Sequence, residues 1–556
     1  MSLKDELRPL MRGEIEDTPE VLTKYSRDAS IFTIRPQIVV HPLNAQDVCA
    51  TVQFVNEKKK VPKTHLSITA RSAGTDMSGG PLNDSIILDM VAHCNRLLEL
   101  GDSYAVVEPG MYFRDFDIQT KKKNLELPSY TASREINTVG GMVANDSGGE
   151  KNLKYGKTAR YVEELDVVLS DGNVHTLKPL HGDELKAKCA EDSFEGKLYK
   201  EVGELISFNR STIEKHKPIV EKNSSGYALW NLGDGINSLN LARLMVGSQG
   251  TLGIITKIRF SLVHPKPYSA MAVIFLHNLS ELGRVVPQVL LHKPDSFESY
   301  DDHTFALGAK YFLEFAAQMK ANIVSLVFSF LPELWSVITG GVPKLVLMVE
   351  FCAQTQEEAL TKAEDVAEEI RETVGLSVRV AQSEKASRKY WVIRRGSFNL
   401  LRKKIRGKRA IPFIDDFVVP PQTLPEFLPK LEEILSHYHL MYTIAGHVGD
   451  GNFHIIPLAD PDEPSLACII DELSHKVYNL VLSYHGSITG EHNDGLVRTP
   501  YVEKMFGREM YGLFHEIKAL FDPHDIFNPG KKVGLTFSDA FSHLDLPTQT
   551  PGKNQS

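Results

Sequence analysis

Cysteine is scarce in this 556-residue chain, which contains five cysteines and three tryptophans. The cysteines are far apart, and none of them forms a CxxC pair. This spacing argues against a disulfide framework, an iron–sulfur cluster and a zinc ribbon, and it is typical of proteins in a reducing compartment. We therefore expect a cytoplasmic protein.

The sequence also lacks a long apolar run and an excess of basic residues. Residues 1–17 are charged and contain no apolar segment, which predicts no secretory signal. With 71 acidic and 62 basic residues, the formal net charge is -9, so nucleic acid is not an expected partner. The apolar segment 323–337 is interrupted by Pro332 and Glu333 and is too short to span a bilayer.

One feature leaves a membrane contact open. Residues 394–409 contain eight basic residues and no acidic residue. Together with segment 323–337, they would suit peripheral contact with the inner face of an anionic membrane and delivery of electrons to a quinone. The interpretation that we favour is a core helix and a basic rim that attracts substrate. A cytochrome, an electron-transfer flavoprotein or oxygen as acceptor, and a homodimer, also stay open.

Composition and hydrophobic periodicity divide the chain into four parts. Residues 1–35 predict one or two leading helices, and residues 36–265 alternate short β-type runs with helical stretches and are rich in glycine. Residues 266–535 contain a buried strand in KLVLMVEF and an amphipathic helix in TQEEALTKAEDVAEEIRETV. Residues 536–556 form a tail that we expect to be disordered. The predicted fold class is α+β with two domains.

Three glycine-rich tracts, residues 68–80, 136–149 and 247–256, lie within the first domain. Their small residues let backbone amides approach a ligand and form an anion-binding nest. They contain neither GxGxxG nor a Walker A motif, so a nicotinamide-type or P-loop site is not indicated. Three such tracts favour a large, phosphate-bearing cofactor over the competing interpretation, a set of tight turns.

Two motifs near the C-terminus carry histidines, GHVGDGNFH with His447 and His454, and TGEHNDG with Glu491 and His492. The two histidines of the first motif would point to opposite faces of a flat strand, but the DG turn between them predicts a hairpin. With Glu491, they offer two imidazoles and a carboxylate to one cation, which is typical of a catalytic divalent site. His492 points differently and is predicted to be a general base. Hydrogen-bonded sheet histidines are the competing interpretation.

The motifs occur in a recognisable order along most of the chain. They are RPQIVVHPLNAQDV, RSAGTDMSGG, TVGGMVANDSGGEKNLKYG, GSQGTLGIIT, GHVGDGNFH, GEHNDG and FDPHDIFNPGKK. In this combination, residues 26–532 resemble the FAD-linked 2-hydroxyacid dehydrogenases, vanillyl-alcohol-oxidase-like flavoproteins that include D-lactate dehydrogenase, the glycolate oxidase FAD subunit and D-2-hydroxyglutarate dehydrogenase. The resemblance implies an FAD-binding domain of the vanillyl-alcohol-oxidase (PCMH) type over 36–265 and an α+β cap domain over 266–535.

The resemblance also implies which residues bind FAD. The first tract would hold the pyrophosphate, the second would line the flavin, and the third would lie along the adenine–ribose end. The implied FAD-binding residues are Arg71, Ser72, Ala73, Gly74, Thr75, Asp76, Met77, Ser78, Pro109, Gly110, Thr138, Gly140, Gly141, Asn145, Ser147, Gly148, Gly250, Gly253, Ile255 and Asn528.

The chain departs from the family pattern in three respects. Arg71, Ser72 and Ala73 stand where the first loop usually has several glycines, and Gln249 stands where the third tract usually has glutamate. No histidine or cysteine occupies the position at which related oxidases attach FAD covalently. The last departure implies non-covalent FAD.

In the family, the metal ligands correspond to His447, His454 and Glu491, and the base corresponds to His492. The metal would be zinc, manganese or iron. The resemblance assigns Arg394 the role of binding the substrate carboxylate, with its neighbour Arg395 as the alternative.

The implied reaction is oxidation of a small D-2-hydroxyacid by hydride transfer to the flavin. The 2-hydroxyglutarate enzymes carry a lysine shortly before a VVPP-like segment, and Ile414 occupies that place here. This favours a substrate with one carboxylate, D-lactate first and glycolate second. A metal-dependent hydrolase and a non-catalytic FAD subunit of an oxidase complex are the competing functions.

Overall fold

A computed structural model describes residues 2–61, 64–304, 341–404, 408–438 and 440–545, without the side chains of residues 396–404. The apolar segment 323–337 and the central part of the basic run 394–409 lie outside the described residues or side chains. Within the described ranges, no helix combines the length and the apolar character that crossing a membrane requires.

The N-terminal half of the fold is built on two main sheets. Its strands are β1 (Glu14–Glu16), β2 (Ile38–His41), β3 (Ile68–Arg71), β4 (Ile86–Asp89), β5 (Leu97–Leu100), β6 (Tyr104–Val107), β7 (Val162–Val168), β8 (Val174–Leu177), β9 (Pro179–His181), β10 (Ser238–Asn240) and β11 (Ile254–Ser261). One sheet has the order β1-β2-β4-β3, the other has the order β5-β6-β11-β7-β8, and β9 pairs with β10.

Burial explains which strands take the central positions. Strands β2 and β4 pair in parallel and are buried at every residue, as their apolar runs IVV and IIL favour. The polar residue that ends each strand is paired with the other, with His41 Nδ1 3.0 Å from Asp89 Oδ2. Strand β11 alternates between buried and partly buried residues and pairs antiparallel with β6 and β7. The helices of this half are α1 (Leu3–Leu7), α2 (Pro19–Tyr25), α3 (Ala45–Lys59), α4 (Phe113–Lys121), α5 (Val139–Asn145), α6 (Asn152–Tyr155), α7 (Gly182–Cys189), α8 (Phe194–Phe208), α9 (Arg210–His216) and α10 (Leu241–Met245).

The second half contains one large antiparallel sheet. Its strands are β12 (Tyr268–Leu276), β13 (Ser296–Asp301), β14 (Leu345–Ala353), β15 (Val378–Ala381), β16 (Arg409–Ala410), β17 (Phe417–Val418), β18 (Met441–His447) and β19 (Asn452–Ala459). Their order is β15-β12-β14-β13-β18-β19-β16, and β17 also pairs with β19. The helices are α11 (Leu282–Leu291), α12 (Gln356–Thr373), α13 (Glu384–Lys404), α14 (Leu424–Ser436), α15 (Leu466–Ser483), α16 (Gly495–Phe521) and α17 (Phe537–Phe541).

The predicted hairpin between the two histidines is present. Strands β18 and β19 pair antiparallel, with His447 opposite Asn452 and Ala445 opposite His454. A 3-10 turn over Val448–Asp450 joins them, and Gly451 follows with a φ of 69°. The turn lets both imidazoles lie on the same side of the sheet end.

The C-terminal segment returns to the first half of the fold. Side chains of α16, among them Phe506, Phe514 and Phe521, belong to the apolar core around β7 and α8. The N–H of Ile68 in β3 donates to the carbonyl of Ile526 at 2.7 Å. This segment therefore completes the core of the half in which FAD binding is predicted, and the predicted division at residue 265 stays a prediction.

Candidate active site

A cavity of about 620 Å³ is lined by residues from both halves. All three glycine-rich tracts and both histidine motifs contribute to its wall. The predicted site residues that line it are Arg71, Ser72, Ala73, Gly74, Thr75, Asp76, Met77, Pro109, Thr138, Gly140, Gly141, Asn145, Ser147, Gly148, Gly250, Gly253, Ile255, Arg394, His447, His454, Glu491 and His492. The fold thus brings together the residues predicted for cofactor, metal and substrate.

Three predicted FAD-binding residues, Ser78, Gly110 and Asn528, are not in the lining. The buried Asn528 side chain donates to the carbonyls of Gly80 at 2.9 Å and Gln249 at 2.7 Å, and so connects the first tract to the third. The Gly110 N–H donates to a backbone carbonyl at 2.7 Å. These residues hold the wall in place, and their direct contact with FAD stays a prediction.

Arg71 ties the leading segment of the chain to the first tract. Its guanidinium donates to the carbonyls of Tyr25 at 3.1 Å and Arg27 at 2.6 Å. The Ala29 N–H donates to the Asp76 carbonyl at 2.9 Å. The arginine that replaces a family glycine therefore brings residues outside the predicted FAD-binding domain into the cavity wall.

Asp28, from this leading segment, lines the cavity. Its Oδ1 accepts from the Ser30 N–H at 2.9 Å, whereas its Oδ2 is buried without a hydrogen-bond partner. Burial, aided by the charge of Asp76, raises the pKa of Asp28 to about 7. An orphaned buried oxygen is costly, and a polar group of a bound cofactor would satisfy it, so the wall fits a large polar ligand such as FAD.

Gln249 explains the second departure from the family pattern. Its Nε2 lies 3.3 Å from Ser78 Oγ and 3.3 Å from Asn145 Oδ1, and its Oε1 accepts from the Gly495 N–H at 2.9 Å. A glutamate could accept from Gly495, but as a carboxylate it could not donate. The amide therefore joins all three tracts to the start of α16.

Glycine is required at position 140 by the close approach of the chain. A Cβ atom there would lie 2.4 Å from Pro109 Cβ and 2.6 Å from the Pro109 carbonyl oxygen. We expect Gly140→Ala to displace the second tract and to weaken FAD binding by about 10-fold or more, since overpacking costs about 1–3 kcal/mol. The measurement is the dissociation constant of FAD, followed by flavin fluorescence.

Gly512→Ala in α16 is the matched control. A Cβ atom at Gly512 would have no heavy atom within 4 Å, so FAD affinity should not change. Equal FAD affinity in both variants would contradict the role of Gly140.

Glu491 brings the predicted metal ligands together. Its Oε1 is 3.4 Å from His447 Nε2 and 3.3 Å from His454 Nε2. Tetrahedral coordination with bonds of about 2.0–2.1 Å requires donor separations of about 3.3 Å, so the geometry fits a first-row divalent cation. Burial lowers the pKa of His454, which favours the neutral imidazole that binds metals.

The Asp416 carboxylate organises the loop that carries Glu491 and His492. Its Oδ2 accepts from the Thr489 hydroxyl at 2.5 Å and from the N–H groups of Gly490 at 3.0 Å, Glu491 at 2.9 Å and His492 at 2.7 Å. Asp416, His454, Glu491 and His492 each offer an atom within 4.8 Å of the others. Because four donors already use Oδ2, we assign it the role of shaping the loop.

His492 is oriented by a buried carboxylate. Its Nδ1 is 2.7 Å from Asp415 Oδ2, and the other Asp415 oxygen forms an ion pair with the fully buried Arg498. Burial would lower the pKa of His492, but the charges of Asp416 and Asp415 outweigh it and raise this pKa to about 9. A carboxylate that fixes one ring nitrogen leaves the other for proton transfer, as in catalytic imidazoles.

Glu298 bridges the predicted metal and substrate groups. Its Oε1 is 2.5 Å from His447 Nδ1, and its Oε2 is 3.2 Å from Arg394 Nη2. A carboxylate on the outer nitrogen of a metal-binding histidine fixes its tautomer and orientation. Glu298 therefore aims the inner nitrogen of His447 at Glu491 and places the Arg394 guanidinium beside it.

Lys222 contacts the other oxygen of the central carboxylate. Its fully buried Nζ is 2.7 Å from Glu491 Oε2 and 2.7 Å from Asn452 Oδ1. The ammonium charge therefore lies beside Oε2, and Oε1, which faces the two imidazoles, is the oxygen placed for a cation.

Four of these polar residues escaped the sequence analysis, namely Lys222, Glu298, Asp415 and Asp416. The acidic pair had a recognisable signal, because two adjacent carboxylates within the apolar segment PFIDDFVVPP are costly to bury unless they are paired. Glu298 and Lys222 had no such signal in their local sequence.

The chain matches two families of domains. The C-terminal domain of FAD linked oxidases matches residues 266–532, and an FAD binding domain matches residues 36–178. The p-cresol methylhydroxylase structure with substrate bound is similar in fold, with a TM-score of 0.66 and 17% identity over 95% of each chain. The predicted fold class is therefore confirmed.

Curated relatives cover most of the chain at lower than 30% identity. D-2-hydroxyglutarate dehydrogenase from Pseudomonas putida is 28% identical over 94% of this chain, which spans 50% of that relative. D-lactate dehydrogenase from Archaeoglobus fulgidus is 27% identical, over 89% of this chain and 91% of its own. The glycolate oxidase subunit GlcD from Bacillus subtilis is 26% identical, over 91% of each chain.

The order of the two domains and the relatives thus agree with the resemblance found in the motifs. The chain contains an FAD binding domain over residues 36–178, followed over residues 266–532 by the C-terminal domain of FAD linked oxidases, and along most of its length it is similar to these 2-hydroxyacid enzymes.

Proposed function

We propose that the chain oxidises a small D-2-hydroxyacid, first of all D-lactate to pyruvate, with non-covalent FAD and a divalent cation. One observation carries the proposal: Glu491 Oε1 lies between two imidazole nitrogens, at 3.4 Å and 3.3 Å, in the cavity lined by the glycine-rich tracts. Three donors that converge beside a cofactor-sized cavity are typical of a site that anchors and activates a substrate.

The roles of the side chains follow from their positions. His447, His454 and Glu491 would hold the cation, and Arg394 would bind the substrate carboxylate. A bound cation would lower the pKa of the substrate hydroxyl. A cation held by Glu491 would also lower the pKa of the neighbouring His492, which is about 9 without it. The neutral imidazole would then take the hydroxyl proton on Nε2, and Asp415 would stabilise the imidazolium that forms.

Bound FAD would accept the α-hydrogen as a hydride. The hydroxyl oxygen and the α-carbon then share a double bond, and the product is the 2-oxoacid. The proton taken by His492 and the hydride account for both hydrogens that the substrate loses, and the hydride carries away the two electrons of the oxidation.

The charge of the cavity wall favours a substrate with one carboxylate. Apart from the three histidines assigned to the cation and the proton, the basic side chains of the lining among the described residues are Arg71, Arg394 and Arg395. Arg71 is bound to backbone carbonyls, and the other two contact Glu298 and Glu150. Ile414 does not add to this preference, because its side chain is fully buried in the apolar core of the second half and does not line the cavity.

D-2-hydroxyglutarate is the second candidate substrate. The observation that favours it is the name of several relatives, such as the Pseudomonas putida enzyme at 28% identity. Glycolate is a third candidate substrate, since one relative is named glycolate oxidase subunit GlcD.

An anaerobic visible spectrum of the purified, metal-loaded protein tests the proposal. We expect a flavin band that bleaches with D-lactate and not with L-lactate. Bleaching by glycolate or D-2-hydroxyglutarate alone would keep the reaction and change the substrate. A protein that shows no flavin band after reconstitution with FAD would refute the proposal.

A further inference from the structure

Two adjacent arginines of α13 line the cavity, and only one of them has a role in the proposed reaction. Arg394 and Arg395 project from neighbouring positions of one helix, about 100° apart around its axis. The Arg395 guanidinium lies over the Trp391 ring at 4.4 Å, and Trp391 also lines the cavity. A second guanidinium so near the first is what a substrate with two carboxylates would need.

Glu150 occupies this second guanidinium. Arg395 Nε donates to Glu150 Oε2 at 2.9 Å, and Arg395 Nη2 donates to Glu150 Oε1, so the pair is bidentate. Glu150 is itself a lining residue that follows the second glycine-rich tract, and its side chain is largely buried. Arg134 forms a second, longer ion pair with the same carboxylate, with Nη1 3.7 Å from Oε1.

We propose that Glu150 is a specificity-determining residue that occupies Arg395 and thereby makes the cavity select 2-hydroxyacids with a single carboxylate. The inference rests on the proposed function, and it names the substrate class for that site. It concerns a carboxylate that contacts neither the proposed metal ligands nor the proposed base.

The physical basis is the charge that a longer substrate would meet. A second carboxylate that approached Arg395 would find its best donors already used by Glu150 and would lie beside a like charge in a partly buried wall. Burial would raise the pKa of Glu150, but Arg395 and Arg134 outweigh it and lower this pKa to about 2, so the repelling charge is present at every physiological pH. A methyl group or a hydrogen meets no such opposition beside Trp391.

The test compares substrates in the complete FAD- and metal-loaded protein. Stopped-flow flavin reduction gives kcat/KM for D-lactate and for two dicarboxylates, D-malate and D-2-hydroxyglutarate. The two dicarboxylates differ in length by one methylene. In the wild type, we expect both dicarboxylates to react at least about 10-fold less efficiently than D-lactate. In Glu150→Gln, the ratio of dicarboxylate to D-lactate efficiency should rise about 10- to 100-fold, the range of one charged hydrogen bond.

Two further variants make the test specific. Glu135→Gln removes the same charge from another lining residue, one that is exposed, and should leave the ratio within about two-fold of the wild type. The double variant Glu150→Gln/Arg395→Met should lose the gain, because the released guanidinium is gone. If Glu150→Gln does not fold or retain FAD, Glu150→Met serves in its place.

The outcomes distinguish failure of the role proposed for Glu150 from failure of the proposed function. If the wild type prefers a dicarboxylate to D-lactate, the inference is overturned and the proposed function stays intact. This outcome is measured on the wild type alone. An unchanged ratio in a folded, FAD-bound Glu150→Gln also overturns it. A wild type whose flavin is reduced by no 2-hydroxyacid refutes the proposed function, and the inference with it.

Discussion

Alanine in place of His492 is expected to slow anaerobic flavin reduction by D-lactate about 10²–10⁴-fold while FAD and metal stay bound. The imidazole is the residue placed to take the hydroxyl proton, with Nδ1 held 2.7 Å from Asp415 and the ring in the cavity wall. Its loss removes the proton acceptor and none of the proposed cation ligands. Stopped-flow absorbance of the flavin measures the rate, and the resting spectrum and metal content confirm that the site is otherwise loaded.

A graded series distinguishes proton transfer from general disturbance of the site. Asp415→Asn keeps the shape but gives up the carboxylate that orients and stabilises the imidazolium, so its rate should fall between those of the wild type and His492→Ala. His524→Ala, an exposed histidine outside the cavity, should react like the wild type. Normal flavin reduction in His492→Ala would remove this residue from the mechanism.

Glu491→Gln is expected to weaken metal binding at least about 100-fold, because it removes the anionic ligand between the two imidazoles. A second effect acts in the same direction. The fully buried Lys222 ammonium lies 2.7 Å from Glu491 Oε2 and would lose its counter-charge, so its positive charge would then oppose a cation. Elemental analysis after dialysis gives the metal content, and flavin reduction should fall with it.

Glu108→Gln is the matched control for this variant. Glu108 is also buried, but it pairs with Arg96 and does not line the cavity. Its replacement should leave the metal content unchanged. Equal metal content in Glu491→Gln and in the wild type would show that Glu491 is not a ligand.

Local sequence predicted the parts of the site that depend on local geometry. The DG turn between His447 and His454 predicted a hairpin, and the hairpin brings both imidazoles to the same carboxylate oxygen. The small residues of the three tracts predicted a wall of closely packed backbone, and most of them line the cavity. These signals are contained within about ten neighbouring residues.

The residues that orient these groups come from distant parts of the chain. Glu298 and His447 are 149 residues apart, and Lys222 and Asn452 are 230 apart. The first pairing depends on β13 and β18 becoming neighbours in the large sheet, and the second depends on how a loop of the first half packs against β19. Periodicity within one segment carries no information on either. The contribution of Asp28 to the wall was missed for the same reason, since it depends on the contact of Arg71 with the carbonyls of Tyr25 and Arg27.

The return of α16 to the first half limits the modularity of this architecture. The loop with Glu491 leads directly into α16, and the buried Lys532 is 2.9 Å from Asp494, so the segment from 491 to 533 serves both halves at once. A recombination event that exchanged only residues 266–490 would combine the strands of one protein with the Glu491 loop of another. An exchange that continued to residue 532 would also replace the α16 side chains that belong to the core of the first half. Substrate preference in such proteins is therefore more easily altered by single replacements in the wall than by exchange of whole domains.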